Sequence, residues 1–115
     1  MIINWQEVEV YIKPGPTDMR KQINGLSILV EDEFGDAVFS GNIFIFCNRN
    51  RKRLKIIYWD RTGFCLWLKR LEKHRFPWPR DEAELKKITV NQLRMLLEGI
   101  DFFNAHKSLK YSSVS

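Results

Sequence analysis

Leu54-Lys55-Ile56-Ile57-Tyr58-Trp59-Asp60-Arg61-Thr62-Gly63-Phe64-Cys65-Leu66-Trp67-Leu68-Lys69 decides the fold, because it sets two β-forming runs around one tight-turn sequence. Leu54 to Trp59 reads as one strand and Phe64 to Leu71 as the next. In Asp60-Arg61-Thr62-Gly63, Asp stands at the first position of a type I turn and Gly where a positive φ is wanted. That chemistry favours a three-residue loop with a glycine bulge, pairing Asp60 with Phe64, Trp59 with Cys65, Ile57 with Trp67 and Lys55 with Lys69. One surface would then carry Lys55, Ile57, Trp59, Cys65, Trp67 and Lys69. The other, with Leu54, Ile56, Tyr58, Phe64, Leu66 and Leu68, is apolar enough to meet the helices. A two-residue turn would pair Trp59 with Phe64 instead, and a one-residue slip moves every side chain to the opposite face.

Upstream of the hairpin, Asn48 to Arg53 is a polar, basic connection, and Ile43-Phe44-Ile45-Phe46-Cys47 is apolar on both sides, as a central strand covered on both faces would be. Val8 to Ile12 alternates apolar and polar and reads as a first strand, stopped by Pro14-Gly15-Pro16. Thr17 is placed to cap a helix over about 18–33, with Asp18 in its first turn. Met19, Ile23, Leu26 and Val30 make the apolar stripe of that helix. Gly25 weakens it by about 1 kcal/mol against alanine and suggests close packing on a strand. Phe39 to Asn42 reads as loop. Downstream, Phe76-Pro77-Trp78-Pro79 extends neither a helix nor a central strand and is a connector. Thr89-Val90-Asn91-Gln92 has capping-box spacing, and Leu93, Leu96, Leu97 and Ile100 give a second, short helix its apolar stripe.

The order β-α-β-β-β-α points to an α+β fold, an antiparallel sheet of about four strands with two helices packed on it. A chain of 115 residues has no room for a second core. Residues 1–103 are expected to form one domain and 104–115 a polar, flexible tail. Hydrophobic residues make up 44% and aromatics 13%, which argues against wholesale disorder. No apolar run is long enough to span a membrane and Met1 to Trp5 does not open a secretion signal, so a cytoplasmic location is expected. Cys47 and Cys65 lie in apolar runs without metal-ligand spacing and read as buried free thiols, so neither metal nor cofactor is expected.

The net charge is +5, and it is local. Residues 49–75 hold ten bases (Arg49, Arg51, Lys52, Arg53, Lys55, Arg61, Lys69, Arg70, Lys73 and Arg75) against Asp60 and Glu72, a balance of +8. The remaining nine bases and twelve acids give −3. Such a concentration suits docking on a polyanion. Lys and Arg neutralise phosphates, and the aromatic faces of Trp59 and Trp67 can stack on exposed bases. Those tryptophans read equally as cross-strand core partners. Signals for catalysis are poor. His74 and His106 have no carboxylate or serine at a triad spacing and read as surface residues. Asp18, Asp60 and Asp101 could in principle form a metal triad, yet helix start, turn and helix exit explain each of them.

Several phrases occur together: Thr17-Asp18-Met19-Arg20-Lys21, Gly25-Leu26, Phe39-Ser40-Gly41, Arg53-Leu54-Lys55-Ile56 and Trp59-Asp60. Gly63-Phe64, Lys69-Arg70-Leu71-Glu72, Phe76-Pro77-Trp78-Pro79 and Gln92-Leu93 to Leu96-Leu97-Glu98-Gly99-Ile100-Asp101 follow. With these, residues 5–103 closely resemble the TnpB-type accessory protein of the bacterial insertion-sequence sixty-six family, the product of its second open reading frame. The resemblance implies a non-catalytic protein of a mobile element that supports DNA transposition beside a separate transposase, and it supplies no catalytic residues. Asn48-Arg49-Asn50-Arg51 lacks the glycine often found in this loop. The expected partners are DNA at the element ends and the transposase. Arg49, Arg51, Lys52, Arg53, Lys55, Lys69, Arg70, Lys73 and Arg75 would contact phosphate, and Trp59 and Trp67 bases. The alternative is an adaptor whose basic surface meets an acidic patch of the transposase.

Overall fold

Strands β1 (Val10–Ile12), β2 (Ile43–Cys47), β3 (Arg53–Asp60), β4 (Gly63–Arg70) and β5 (Lys86–Ile88), with helices α1 (Ile23–Phe34) and α2 (Val90–Leu97), make up the chain in the computed structural model. It describes residues 3–100. The 104–115 tail, Asp101 and His106 lie outside the described residues. The sheet runs β4-β3-β2-β1-β5. Only β1 and β2 are parallel; the other neighbours are antiparallel. The architecture is α+β, as expected, with a fifth strand added. β5 escapes notice in the sequence because two of its three residues are lysines.

The sheet is covered on both faces, and the alternation of β2 shows how. Phe44 and Phe46 pack with Leu26 and Val30 of α1, while Ile43, Ile45 and Cys47 pack with Leu93 and Leu96 of α2. All five β2 side chains are buried, as a strand between two helices requires. The α2 side also receives Val10, Ile12, Leu54, Ile56, Tyr58, Phe76 and Trp78. Burial of Cys47 in this layer pushes its thiol pKa up to about 12, against the pull of the Arg51 charge.

Three expectations need correction. First, the hairpin takes the two-residue register: Asp60 pairs with Gly63, Trp59 with Phe64, Ile57 with Leu66, Ile56 with Trp67, Lys55 with Leu68 and Leu54 with Lys69. The positive φ falls on Arg61 (50°) and not on Gly63, and the Thr62 N–H donates to the Asp60 carbonyl around it. Packing overrode the local turn chemistry. This register sets Phe64 and Leu66 beside Ile57 under α1, and it avoids opposing Lys55 to Lys69.

Second, α1 begins at Ile23, not at 18, and Thr17 caps nothing: it is buried, and its N–H donates to the Cys47 carbonyl (2.8 Å). Asp18 to Lys21 forms a turn, in which Asp18 accepts from the Arg20 N–H and guanidinium. The Arg20 guanidinium holds the Asp18 carboxyl down at about 2. Third, Gly25 does not mark a strand contact; a Cβ there would meet the Lys21 side chain. At the other end of the chain α2 carries the expected capping box, with the Thr89 hydroxyl accepting from the Gln92 N–H (3.0 Å) and the Thr89 N–H donating to Gln92 Oε1 (2.9 Å).

Candidate nucleic-acid interface

Because β1 and β2 run parallel and β3 and β4 return antiparallel, the ends of β1, β2 and β4 and the start of β3 meet at one end of the sheet. One side chain organises the loop there. Asn48 Oδ1 accepts from the N–H groups of Lys52 (3.0 Å) and Arg53 (3.1 Å), and the Asn48 carbonyl accepts from Arg51 (3.0 Å). Arg51 turns the chain at φ 59°, a left-handed conformation that disfavours any residue but glycine or asparagine. The segment after β4 is laced onto this loop: Leu71 N–H donates to the Lys52 carbonyl (2.8 Å) and Phe76 N–H to the Arg51 carbonyl (2.6 Å). The loop backbone is therefore tied on both sides, and it carries Arg49, Arg51, Lys52 and Arg53.

The aromatic–proline connector anchors the other side. Phe76, Pro77 and Trp78 are buried, and Trp78 Nε1 donates to the carbonyls of Lys13 and Gly15, each at 3.1 Å. Gly15 N–H in turn donates to the Pro79 carbonyl (2.8 Å). Only glycine serves at 15, since φ is 82° and a Cβ would stand 2.8 Å from Glu82 Cγ.

Between the loop and the connector lies an open cleft of about 410 Å³. Pro16, Trp78 and Pro79 form its apolar wall, Asn48 and Asn50 contribute amides, and Arg49, Arg51, Arg75 and Arg80 supply charge. Among the described residues, no carboxylate lines it. The four arginines take no part in the ion pairs formed among the described residues, which are Lys13–Glu33, Arg20–Asp18, Arg70–Glu72 and Lys87–Glu9. Arg80 was not singled out in the sequence. Asp81, Glu82 and Glu84 follow it and dilute the local charge, so the basic window closes at Arg75.

The other candidate residues divide. Lys52, Arg53 and Lys73 sit with the cleft arginines on the loop and the segment laced to it, Lys52 half-buried and the other two exposed. Arg53 stands opposite Arg70, which is paired with Glu72 (3.0 Å). Lys69 Nζ donates to the Leu97 carbonyl (2.7 Å) and so caps the last turn of α2. Lys55 is not a surface residue. It is 6% exposed, with Nζ donating to the carbonyls of Met19 (2.8 Å) and Lys21 (2.9 Å), so it ties the turn before α1 to the sheet.

Trp59 and Trp67 do not share a face, contrary to the bulged register. Trp59 packs edge-on to Phe39 (5.1 Å) and Phe64 (5.0 Å) near the hairpin tip, on the α1 side. Trp67 projects on the α2 side, 51% exposed, and borders an apolar groove of about 360 Å³ with Ile3, Trp5, Leu68 and Leu97. Asp18 and Asp60 lie at opposite ends of the sheet, and among the described residues no three His, Cys, Asp or Glu side chains converge on a common metal position. No described helix is long and apolar enough to cross a membrane.

A family model described as IS66 Orf2 like protein matches residues 8–107. The uncharacterized protein y4hO of Sinorhizobium fredii is 36% identical over 114 residues, 99% of each chain. A second uncharacterized protein of that organism, y4jC, is 30% identical over 95 residues, 83% of this chain and 81% of its own. No solved structure matches.

Proposed function

The chain belongs to the IS66 Orf2-like family of insertion-sequence accessory proteins, and we propose that it supports transposition without catalysis, by binding the element's DNA in the cytoplasm through the basic end of its sheet. The observation that carries this reading is the cleft with four arginines and, among the described residues, no lining carboxylate. Arg49, Arg51, Lys52, Arg53, Lys73, Arg75 and Arg80 provide the phosphate contacts, with Arg70 flanking them. Like charges set this close, as Arg49, Arg51, Arg75 and Arg80 are around the cleft, cost stability that a bound polyanion restores. Binding to labelled element ends should fall steeply with salt, the logarithm of affinity dropping by about 0.9 per phosphate contacted for each tenfold rise in salt. Arg49→Ala, Arg75→Ala and Arg80→Ala should each lower that slope by about 1. Undetectable binding at low salt sinks the proposal.

A second reading draws on the apolar groove beside Trp67, where Trp5 and Leu68 are also exposed. Large exposed apolar side chains around one groove suit a protein partner, and the element's transposase is the natural one. A pull-down with the transposase after nuclease treatment tests it: capture that persists without nucleic acid and is lost in Trp67→Ala favours the adaptor.

A further inference from the structure

We infer that the arginine cleft receives one unpaired nucleotide of a DNA strand, its phosphate held among Arg49, Arg51, Arg75 and Arg80 and its base laid against Pro16 and Pro79, which stand over the buried Trp78. This deepens the DNA-binding reading and rests on it. The volume comes first. At about 410 Å³ the cleft falls within the range of small-ligand sites, so a single nucleotide enters where a double helix can only lie across the mouth.

The lining comes next. A surface that tracked duplex phosphates alone would need only charge, yet one side of this cleft is proline and tryptophan. Arginine forks suit the phosphate oxygens, the apolar wall suits the flat face of a base, and Asn50 adds an amide to the lining. Hydrogen bonds anchor both sides of the cleft. Asn48 fixes the arginine loop through its side-chain oxygen, and Trp78 fixes the opposite wall through the Lys13 and Gly15 carbonyls. Backbone segments held before binding avoid the cost of ordering them on contact. Unpaired nucleotides arise wherever a DNA end is frayed, nicked or staggered, so the cleft directs the protein to such places over intact duplex.

The test uses the full chain and three probes of matched sequence: a blunt duplex, the same duplex with a short single-stranded overhang, and that overhang stripped of its bases. A fluorescent base analogue in the overhang reports contact with the wall. The overhang should bind on the order of tenfold tighter than the blunt end, the abasic form should lose most of that advantage, and the analogue's emission should change on binding. Pro16→Trp and Asn50→Trp fill the cleft from opposite walls without altering charge. Each should bring the ratio of overhang to blunt-duplex affinity down to about one, and Arg80→Ala should weaken the overhang complex more than the blunt one. Equal affinity for overhang and blunt duplex, or a preference that survives both cleft-filling variants, overturns the inference and leaves duplex binding standing. Failure to bind any probe at low salt overturns the DNA-binding reading as well.

Discussion

At the closed end of the β3–β4 hairpin, Trp59 packs at 5.1 Å from Phe39 and 5.0 Å from Phe64. At the open end Arg53 faces Arg70, and Arg49, Arg51, Arg75 and Arg80 ring a cleft. Trp59 lies six positions along β3 from Arg53, about 20 Å. The closed end gathers aromatic pairs, each adding about 0.5–1.5 kcal/mol beyond area burial. The open end gathers charges that repel. Two strands thus differ between their ends, with aromatic packing at the tip and, in the proposed reading, recognition at the base. Lys55 shows that residue type alone does not assign the purpose, since it lies within the basic window and yet works as a buried tie.

The largest expected effect comes from that tie. Lys55→Ala leaves the Met19 and Lys21 carbonyls without their donor and should destabilise the fold by about 3 kcal/mol in urea titrations. Where the variant remains folded, its salt dependence of DNA binding should match the unmodified protein; a lowered slope would return Lys55 to the binding surface. Trp59→Ala, at the tip, should cost about 2 kcal/mol by the same assay and leave DNA affinity unchanged. A large loss of affinity without a loss of stability would reverse the division between the two ends.

Arg51→Gly sharpens the comparison, because it moves two quantities in opposite directions. Glycine relaxes the left-handed backbone at 51 and should raise stability by about 1 kcal/mol, while the lost guanidinium lowers DNA affinity. Arg61→Gly relaxes the same kind of strain at the tip and should raise stability by a similar amount with affinity unaltered. The smallest effect belongs to pH. Burial raises the pKa of Glu33, but the Lys13 ammonium and the Leu85 N–H, each at 2.7 Å, outweigh it and hold the carboxyl below its ordinary value. Its contribution is full above the ordinary carboxylate pKa and is lost as pH falls through the lower folded value. Thermal stability should therefore decline below about pH 4.3, and Glu33→Gln should flatten part of that decline.

Much of the fold was legible. The two-sided apolar run of β2, the capping box of α2 and the two hairpin strands follow from periodicity and local chemistry, because each depends on neighbours a few residues away. The hairpin register was not legible in that way. Asp60 and Gly63 favour a bulge locally, and the preference yields to Phe64 and Leu66 packing under α1. Similarly, Thr17 looks like a helix cap until Cys47 takes its N–H and Lys55 gathers the carbonyls that follow it.

The amino-acid sequence by itself determined that the bases crowd into one window, that β2 lies at the centre of the sheet, and that Thr89 caps α2. Charge and short-range periodicity are properties of the chain whatever its path. Tertiary structure alone decided which bases face outward and where they converge. The cleft joins residues 15–16, 48–51, 75 and 78–80, four segments that meet only because β1 and β2 run parallel and the connector after β4 returns across their ends. Local sequence cannot specify contacts between segments that far apart, since they are set by burying both faces of one sheet at once.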